Sequence, residues 1–307
     1  MRKIYCIGET VYDIIFKNGS PKASKAGGSM LNSIISLGRL NLPVHFISEF
    51  GIDDLGDEIE NFLHSNYVNT QYIYRYNGGK TSIALAFLNE HNDAHYSFYK
   101  DLPQKRMDIN FPEFKSNDIV LFGSFYSINK EIRNFVKTLV SKAKEVGAII
   151  IYDPNFRESH LHELSKLLPL IVENMEFATI VRGSDEDFKM IFNSISTEDT
   201  YKKISKYCRN LIYTASSKGV FLLNEYHNFK IQVPKLKPLS TIGAGDNFNA
   251  GLIYGLIKEN ILLNDLKDLK KYQWQKLLTY GTDFASEVCL SYDNYISVKF
   301  AKKYKQS

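Results

Sequence analysis

The sequence predicts an α/β domain built on a mostly parallel sheet, and three observations carry that expectation. Short apolar, β-branched and aromatic runs recur at Ile4–Gly8, Val44–Ser48, Ile119–Phe122, Ala148–Tyr152, Phe177–Val181, Leu211–Thr214 and Val220–Leu223. Most are apolar on both faces and read as buried strands. Longer amphipathic stretches with helical spacing lie between several of them, at Leu31–Leu40, Asp57–Ser65, Lys130–Val146, His160–Val172 and Thr200–Cys208. Such alternation folds as a parallel sheet covered by helices. The third observation is negative: no repeat, low-complexity tract or composition shift marks a linker. All 307 residues, 44% hydrophobic and 23% charged, are therefore assigned to one domain with a sizeable core.

Charge and cysteine usage narrow the function classes. The formal net charge is +4, and the basic residues are scattered among acids. The densest basic run, Lys299 to Lys305, reads as a solvated helix end. A nucleic-acid partner is not expected on this pattern. Cys6, Cys208 and Cys289 are odd in number and far apart, which argues against a disulfide framework or a zinc site. No apolar run approaches the length of a membrane span, and Glu9 comes too early for a signal-peptide core. A reducing cytoplasm is the expected compartment.

One segment breaks the strand–helix rhythm. Thr81–Leu88 and Ala94–Tyr99 alternate, and Asn89 to Asp93 between them reads as a turn. The pattern fits a hairpin outside the main sheet, either an ordinary edge hairpin or a lid.

The stretch from Pro238 to Gly251 carries the most chemistry. Phe248, Leu252 and Leu256 have helical spacing, and Gly243, Ala244 and Gly245 form the turn into that helix. Small residues let backbone N–H groups approach an anion, and the helix dipole adds attraction. No Gly-Lys-Ser/Thr follows, so this is not a Walker A loop. A dinucleotide turn would follow an early strand, with an acid about 20 residues later. Here Asp246 follows the second glycine at once. Taken alone, an acid in a helix's first turn is explained by the dipole and by capping, which also hold its pKa down. Phosphoryl transfer makes a second reading available. Its transition state is loose, so a carboxylate that takes the hydroxyl proton late suffices.

Four motifs extend this reading along the chain: Gly27-Gly28-Ser29-Met30-Leu31-Asn32, Gly51-Ile52-Asp53-Asp54-Leu55-Gly56, Asp153-Pro154-Asn155-Phe156-Arg157 and Ser240-Thr241-Ile242-Gly243-Ala244-Gly245-Asp246. In these the sequence resembles the PfkB, or ribokinase-like, carbohydrate kinases, and bacterial fructokinases above all. The resemblance implies a three-layer sandwich with a mostly parallel central sheet and a small β lid, formed by segments at about 11–26 and 80–101. It implies ATP and Mg²⁺ as cofactors and a small sugar, with fructose leading, as substrate. Ribose, a sugar acid or a nucleoside remain open. By the resemblance Asp246 is the catalytic base, and Gly243, Ala244 and Gly245 form the anion hole. Asp13, Gly28 and Asn32 bind sugar, and Phe98, Lys100 and Arg157 are further substrate candidates. Tyr96, Phe98, Tyr99 and Lys100 face either the sugar or a partner lid. Thr214, Ser216, Gly219 and Asn155 are assigned to the nucleotide with Gly243 and Gly245. Glu186 is assigned to Mg²⁺ through water. A lid-to-lid homodimer is the family-level expectation.

The chain departs from the family at several positions. Ser240 replaces the usual Asp in a region that helps form a monovalent-cation site, leaving backbone carbonyls to serve such an ion. Gly183 stands in place of Asn ahead of Glu186. Phe284–Cys289 reads as helix and Ser291–Asn294 as the loop near the nucleotide. These departures keep a non-catalytic sugar or nucleotide sensor open as a competitor. The intact Gly243–Asp246 run argues for catalysis. A nicotinamide dehydrogenase is disfavoured, because no early Gly-x-Gly-x-x-Gly turn exists.

Overall fold

A computed structural model of the chain describes residues 1–90 and 94–306. In chain order the strands are β1 (Ile4–Ile7), β2 (Val11–Lys17), β3 (Ser20–Gly27), β4 (Val44–Gly51), β5 (Asn69–Tyr76), β6 (Lys80–Leu88) and β7 (Ala94–Asp101). They continue as β8 (Ile119–Gly123), β9 (Ile149–Asp153), β10 (Ile180–Ser184), β11 (Leu211–Thr214), β12 (Val220–Leu223) and β13 (Asn228–Ile231). The helices are α1 (Ser29–Arg39), α2 (Asp54–Ser65), α3 (Arg133–Glu145), α4 (Leu164–Phe177), α5 (Asp185–Phe192), α6 (Thr197–Ile204), α7 (Ala244–Lys258), α8 (Lys271–Cys289) and α9 (Val298–Gln306).

Among the described residues, nine strands form one sheet in the order β13-β12-β11-β10-β9-β8-β1-β4-β5. Pairing is parallel from β11 through β5 and antiparallel at β11–β12 and β12–β13. The central strands are buried on both faces, which is why their sequences are continuously apolar. Ile4 and Cys6 point into the core shared with α1, α7 and α8, where Leu31, Phe248 and Trp274 pack. Tyr5 and Ile7 point into the opposite core, with Val136 of α3 and Ile171 of α4. The result is the expected three-layer α/β sandwich.

A second, four-stranded sheet has the order β3-β2-β6-β7. It contains the expected hairpin. Part of that hairpin's turn, residues 91–93, lies outside the described residues. The lid sheet is anchored at both ends of this hairpin. Asp53, the N-cap of α2, accepts hydrogen bonds from Thr81 N (2.8 Å) and Thr81 Oγ1 (2.6 Å). After β7, Arg106 pairs with buried Glu49 of β4. The Gly51–Gly56 motif therefore holds the lid's stem.

Two element expectations change. The run Phe177–Val181 is not one strand: Phe177 ends α4, and pairing with β9 begins at Ile180, opposite Ile151. His160–Val172 divides into a 3₁₀ turn at Glu158–Glu163 and the first part of α4. The basic tail is helical, as α9, but Ala301 is buried and Phe300 and Tyr304 pack on the core. Among the described residues no helix is long and apolar enough to cross a membrane, and all three cysteines are unpaired.

Candidate active site

Helix α7 sets the position of Asp246. Gly243 is its N-cap at φ 79°, a left-handed conformation that favours glycine, and no side chain caps this helix start. A Cβ on Gly243 would lie 2.9 Å from the Asn294 carbonyl oxygen. Ala244 N closes the turn onto the Thr241 carbonyl at 3.2 Å. The Gly243–Gly245 backbone is thus presented at the positive end of a 15-residue helix. It lies toward the carboxyl ends of the parallel strands, where ligands of open α/β sheets bind.

Asp246 is 9% exposed. Its Oδ1 accepts from Ser29 Oγ at 2.5 Å and its Oδ2 from Asn32 Nδ2 at 2.8 Å. The partners lie 217 and 214 residues earlier in the chain. Ser33 Oγ donates to the Asp246 carbonyl at 2.8 Å, fixing α1 against α7. A place in the first turn of α7 would by itself lower this pKa through the helix dipole. In the fold, burial raises it, opposed by the bonds from Asn32 and Ser29 and by the Arg157 charge, and helped by Asp153. Desolvation therefore outweighs capping. A held carboxylate with raised proton affinity suits a base. The buried Oδ1 of Asn32 has no partner and is available to a ligand hydroxyl.

The lid supplies the opposite wall. Asp13 is 8% exposed, and its carboxylate fills the space a Cβ on Gly27 would need, 2.1 Å away. Burial pushes the Asp13 pKa up to about 6, opposed by Lys25. Gly28 has φ 131°, and a Cβ there would meet the Glu9 carbonyl oxygen at 2.3 Å. The sheet register puts Asp13, Ala84 and Phe98 in one row, so Phe98 shares Asp13's face. Tyr96 shares it too, stacked against Phe98 at 5.9 Å. Burial raises the Tyr96 pKa to about 12; Asp13 and Asp246 add to that, and Arg157 opposes it. Lys100 pairs with Glu9, and exposed Arg157 lies within electrostatic reach of both Asp246 and Tyr96. Asp13, Tyr96 and Phe98 therefore share one lid face, with Asp246 and Arg157 within electrostatic reach of Tyr96.

Beneath the Gly243–Gly245 turn lies a network the motifs only partly announce. Arg182 of β10 donates to Asp153 Oδ2 and to Thr214 Oγ1, both at 2.8 Å. Asn249 of α7 donates to the same Asp153 oxygen at 2.7 Å. The guanidinium lies so close under Gly245 that a Cβ there would sit 2.7 Å from Arg182 Nη1. The absence of a side chain at Gly245 lets Arg182 pack directly against the turn. Thr214 joins the site through this network. Asn155 takes φ 38° and donates its N–H to Asp153 Oδ1 at 3.0 Å. Gly219, at φ 117°, accepts from Ala215 N at 3.0 Å and shapes the turn holding exposed Ser216.

Glu186 is not brought to this cluster: it faces solvent on α5. Its neighbour Asp187 points inward. Asp187 forms a capping box with Ser184 and accepts from Phe156 N at 2.7 Å. Burial raises its pKa, with Asp153 adding to the effect and the Ser184 bonds and Arg182 opposing it. The Ser184-x-x-Asp187 spacing is a capping-box signal that marks the helix start. Arg182, Ser29, Asn249 and Lys25 carried no such signal. Among the described residues no cluster of three or more His, Cys, Asp or Glu could hold a metal ion.

The profile of the pfkB family carbohydrate kinases matches residues 1–299, and the chain belongs to that family. It is an ATP-dependent carbohydrate kinase with a ribokinase-like fold. It is 26% identical over 260 residues to probable fructokinase-3 of Arabidopsis thaliana, covering 82% of this chain and 75% of that protein. The fold superposes at TM-score 0.85 and 19% identity on a fructokinase double mutant of Vibrio cholerae O395 bound to fructose, ADP and potassium, covering 99% of this chain and 98% of that one. It superposes at TM-score 0.84 and 17% identity on aminoimidazole riboside kinase of Salmonella enterica bound to its riboside and an ATP analogue, covering 99% and 100%.

Proposed function

We propose that the protein phosphorylates fructose, with Asp246 as general base. The observation that carries this reading is the buried Asp246 carboxylate, fixed by Ser29 and Asn32 beside an uncapped helix start. In the reaction a sugar hydroxyl gives its proton to Asp246 as its oxygen bonds to the γ-phosphorus of ATP. The bond from that phosphorus to the bridging oxygen breaks, and ADP leaves. The Gly243–Gly245 N–H groups stabilise the charge on the transferred phosphoryl group. Asp13 and Asn32 hold other hydroxyls through carboxylate and amide bonds. The fructokinase relative supports fructose over ribose, a sugar acid or a nucleoside. The deciding experiment is coupled ADP release with a panel of these substrates. Turnover highest on fructose, and lost in Asp246→Asn, is the expected result. Equal turnover by the variant overturns the base assignment.

Mg²⁺ supplies neutralising charge to the ATP phosphates when bound. Buried Asp187 and Asp153 fit a water-mediated role, since Mg²⁺ keeps several of its waters. With Ser240 in place of a carboxylate, dependence on potassium is expected to be weak. Three unpaired cysteines fit a reducing compartment such as the cytoplasm.

The lid's outer face supports a homodimer. Its rows hold Tyr12, Ile83 and Tyr99, then Ile14, Leu85 and Ser97, then Phe16, Phe87 and His95. Phe16 and Phe87 stack at 5.1 Å, and Phe87 is 42% exposed. A largely apolar sheet face of this kind can pair with its own copy across a two-fold axis. Phe87→Glu is expected to shift the sedimentation coefficient from dimer to monomer; a native monomer at all concentrations sinks the assignment.

A further inference from the structure

Lys25 occupies an unusual place in the lid. It lies on β3 directly opposite Asp13, on the face that looks into the cleft. Its ammonium nevertheless reaches out of the lid. Nζ donates to the Tyr292 carbonyl at 2.7 Å and to Asn294 Oδ1 at 3.0 Å, in the loop that follows α8. Asp13 and Asp293 lie within electrostatic reach. No ion pair forms on this lysine among the described residues, so its partners are neutral oxygens fixed by the fold.

That loop is the back wall of the phosphate turn. Asn294 is 4% exposed. Its carbonyl accepts from Asn247 Nδ2 at 2.7 Å, and the same amide donates to the Gly243 carbonyl at 2.8 Å. Asn294 is wedged between the lid lysine and the anion hole. The contacts close a ring. From Lys25 the chain runs through Gly27 and Gly28 into α1, whose Ser29 and Asn32 hold Asp246. Asp246 is followed by Asn247, which holds Asn294, which holds Lys25. Without the lysine the ring opens, and β3 is left joined to α1 and the turn through the Gly27–Gly28 backbone, a conformationally permissive segment.

We propose that Lys25 is a positioning residue that locks the sugar lid to the loop behind the phosphate turn, so that nucleotide loading orders the lid. The inference rests on the kinase reading of the turn and not on the choice of sugar. It acts through charge-assisted hydrogen bonds, which are shorter and stronger than neutral ones.

Hydrogen exchange of the full-length protein tests it, read over residues 11–27 with and without Mg²⁺ and the non-hydrolysable analogue AMP-PNP. In the native protein the analogue is expected to slow exchange of these amides by roughly tenfold or more. Lys25→Arg, which keeps the donors, retains that protection. Lys25→Met still binds AMP-PNP in a direct titration but shows less than about a twofold change. Native-sized protection in Lys25→Met overturns the inference, as does a native lid indifferent to bound analogue. A native protein that fails to bind AMP-PNP overturns the kinase reading, and the inference falls with it. No sugar is present, so neither outcome bears on fructose.

Discussion

Around the Gly243–Gly245 turn, Asp153, Arg182 and Asp246 are 1%, 7% and 9% exposed; on the lid face opposite, Tyr96 and Phe98 are 37% and 57% exposed. The two walls divide the work. The buried wall holds charges whose partners come from β9, β10, β11, α1 and α7, so each side chain has one geometry. The lid wall presents aromatic surface on strands held at their stems by Asp53 and Arg106 and, on β3, by Lys25. Chemistry needs the first kind of wall, because preorganised groups do not reorganise during the reaction. Discrimination among sugars suits the second, which can change without disturbing the fold.

The largest expected effect is at Asp246. Asp246→Asn should lower kcat by about 10²–10⁴-fold, measured by coupled ADP release. Stability should not fall with it. The folded pKa of Asp246 is raised, so the ionised carboxylate costs folding free energy at neutral pH. The introduced amide can also donate to the unpartnered Oδ1 of Asn32 after an amide flip. A variant that loses activity and melting temperature together would break the distinction between chemical and structural roles on this wall.

Arg182 tests the same wall from below. Arg182→Met leaves Asp153 buried without its cation, and removing one partner of such a pair costs roughly 3–5 kcal/mol. Urea unfolding should show that loss, and Arg182→Lys should recover part of it. A loss near zero would mean that water reaches Asp153 and that the wall is less dry than its exposure implies.

Asp13 separates the two walls by pH. As pH falls through about 6 this carboxylate takes a proton and ceases to be a hydroxyl acceptor, so kcat/KM should fall. Its contribution to stability has the opposite sign. The folded value lies above the unfolded one, so protonation favours the fold and the contribution grows from about 6 down toward the ordinary aspartate range. A kcat/KM profile flat through this window would remove Asp13 from the sugar site. The smallest effect on the fold is expected at Phe98. Phe98→Ala should change stability by no more than about 0.5 kcal/mol while raising KM for the sugar more than it changes kcat. Equal losses in both would assign the lid a share of the chemistry.

Much of the fold was legible because its determinants are local. Continuous apolar runs marked the doubly covered strands, and alternation marked Thr81–Leu88 as a sheet apart. The edge strands β5 and β13 escaped because their mixed polar faces lack that signature. Phe177 was misplaced because an apolar residue at a helix end and one at a strand start look alike to a short window.

The site divides in the same way. The sequence alone determined the turn, the helix and the acid, since Gly243 to Asp246 are consecutive and their roles follow from backbone conformation and the helix dipole. Tertiary structure alone decided three things: that Asp246 is raised and not lowered, that Asp187 and not Glu186 faces inward, and that Arg182 and Lys25 belong to the site at all. The physical reason is common to all three. Desolvation and ion pairing depend on which side chains meet across hundreds of residues, as Ser29 meets Asp246 and Lys25 meets Asn294, and one step around a helix turns an acid from core to solvent.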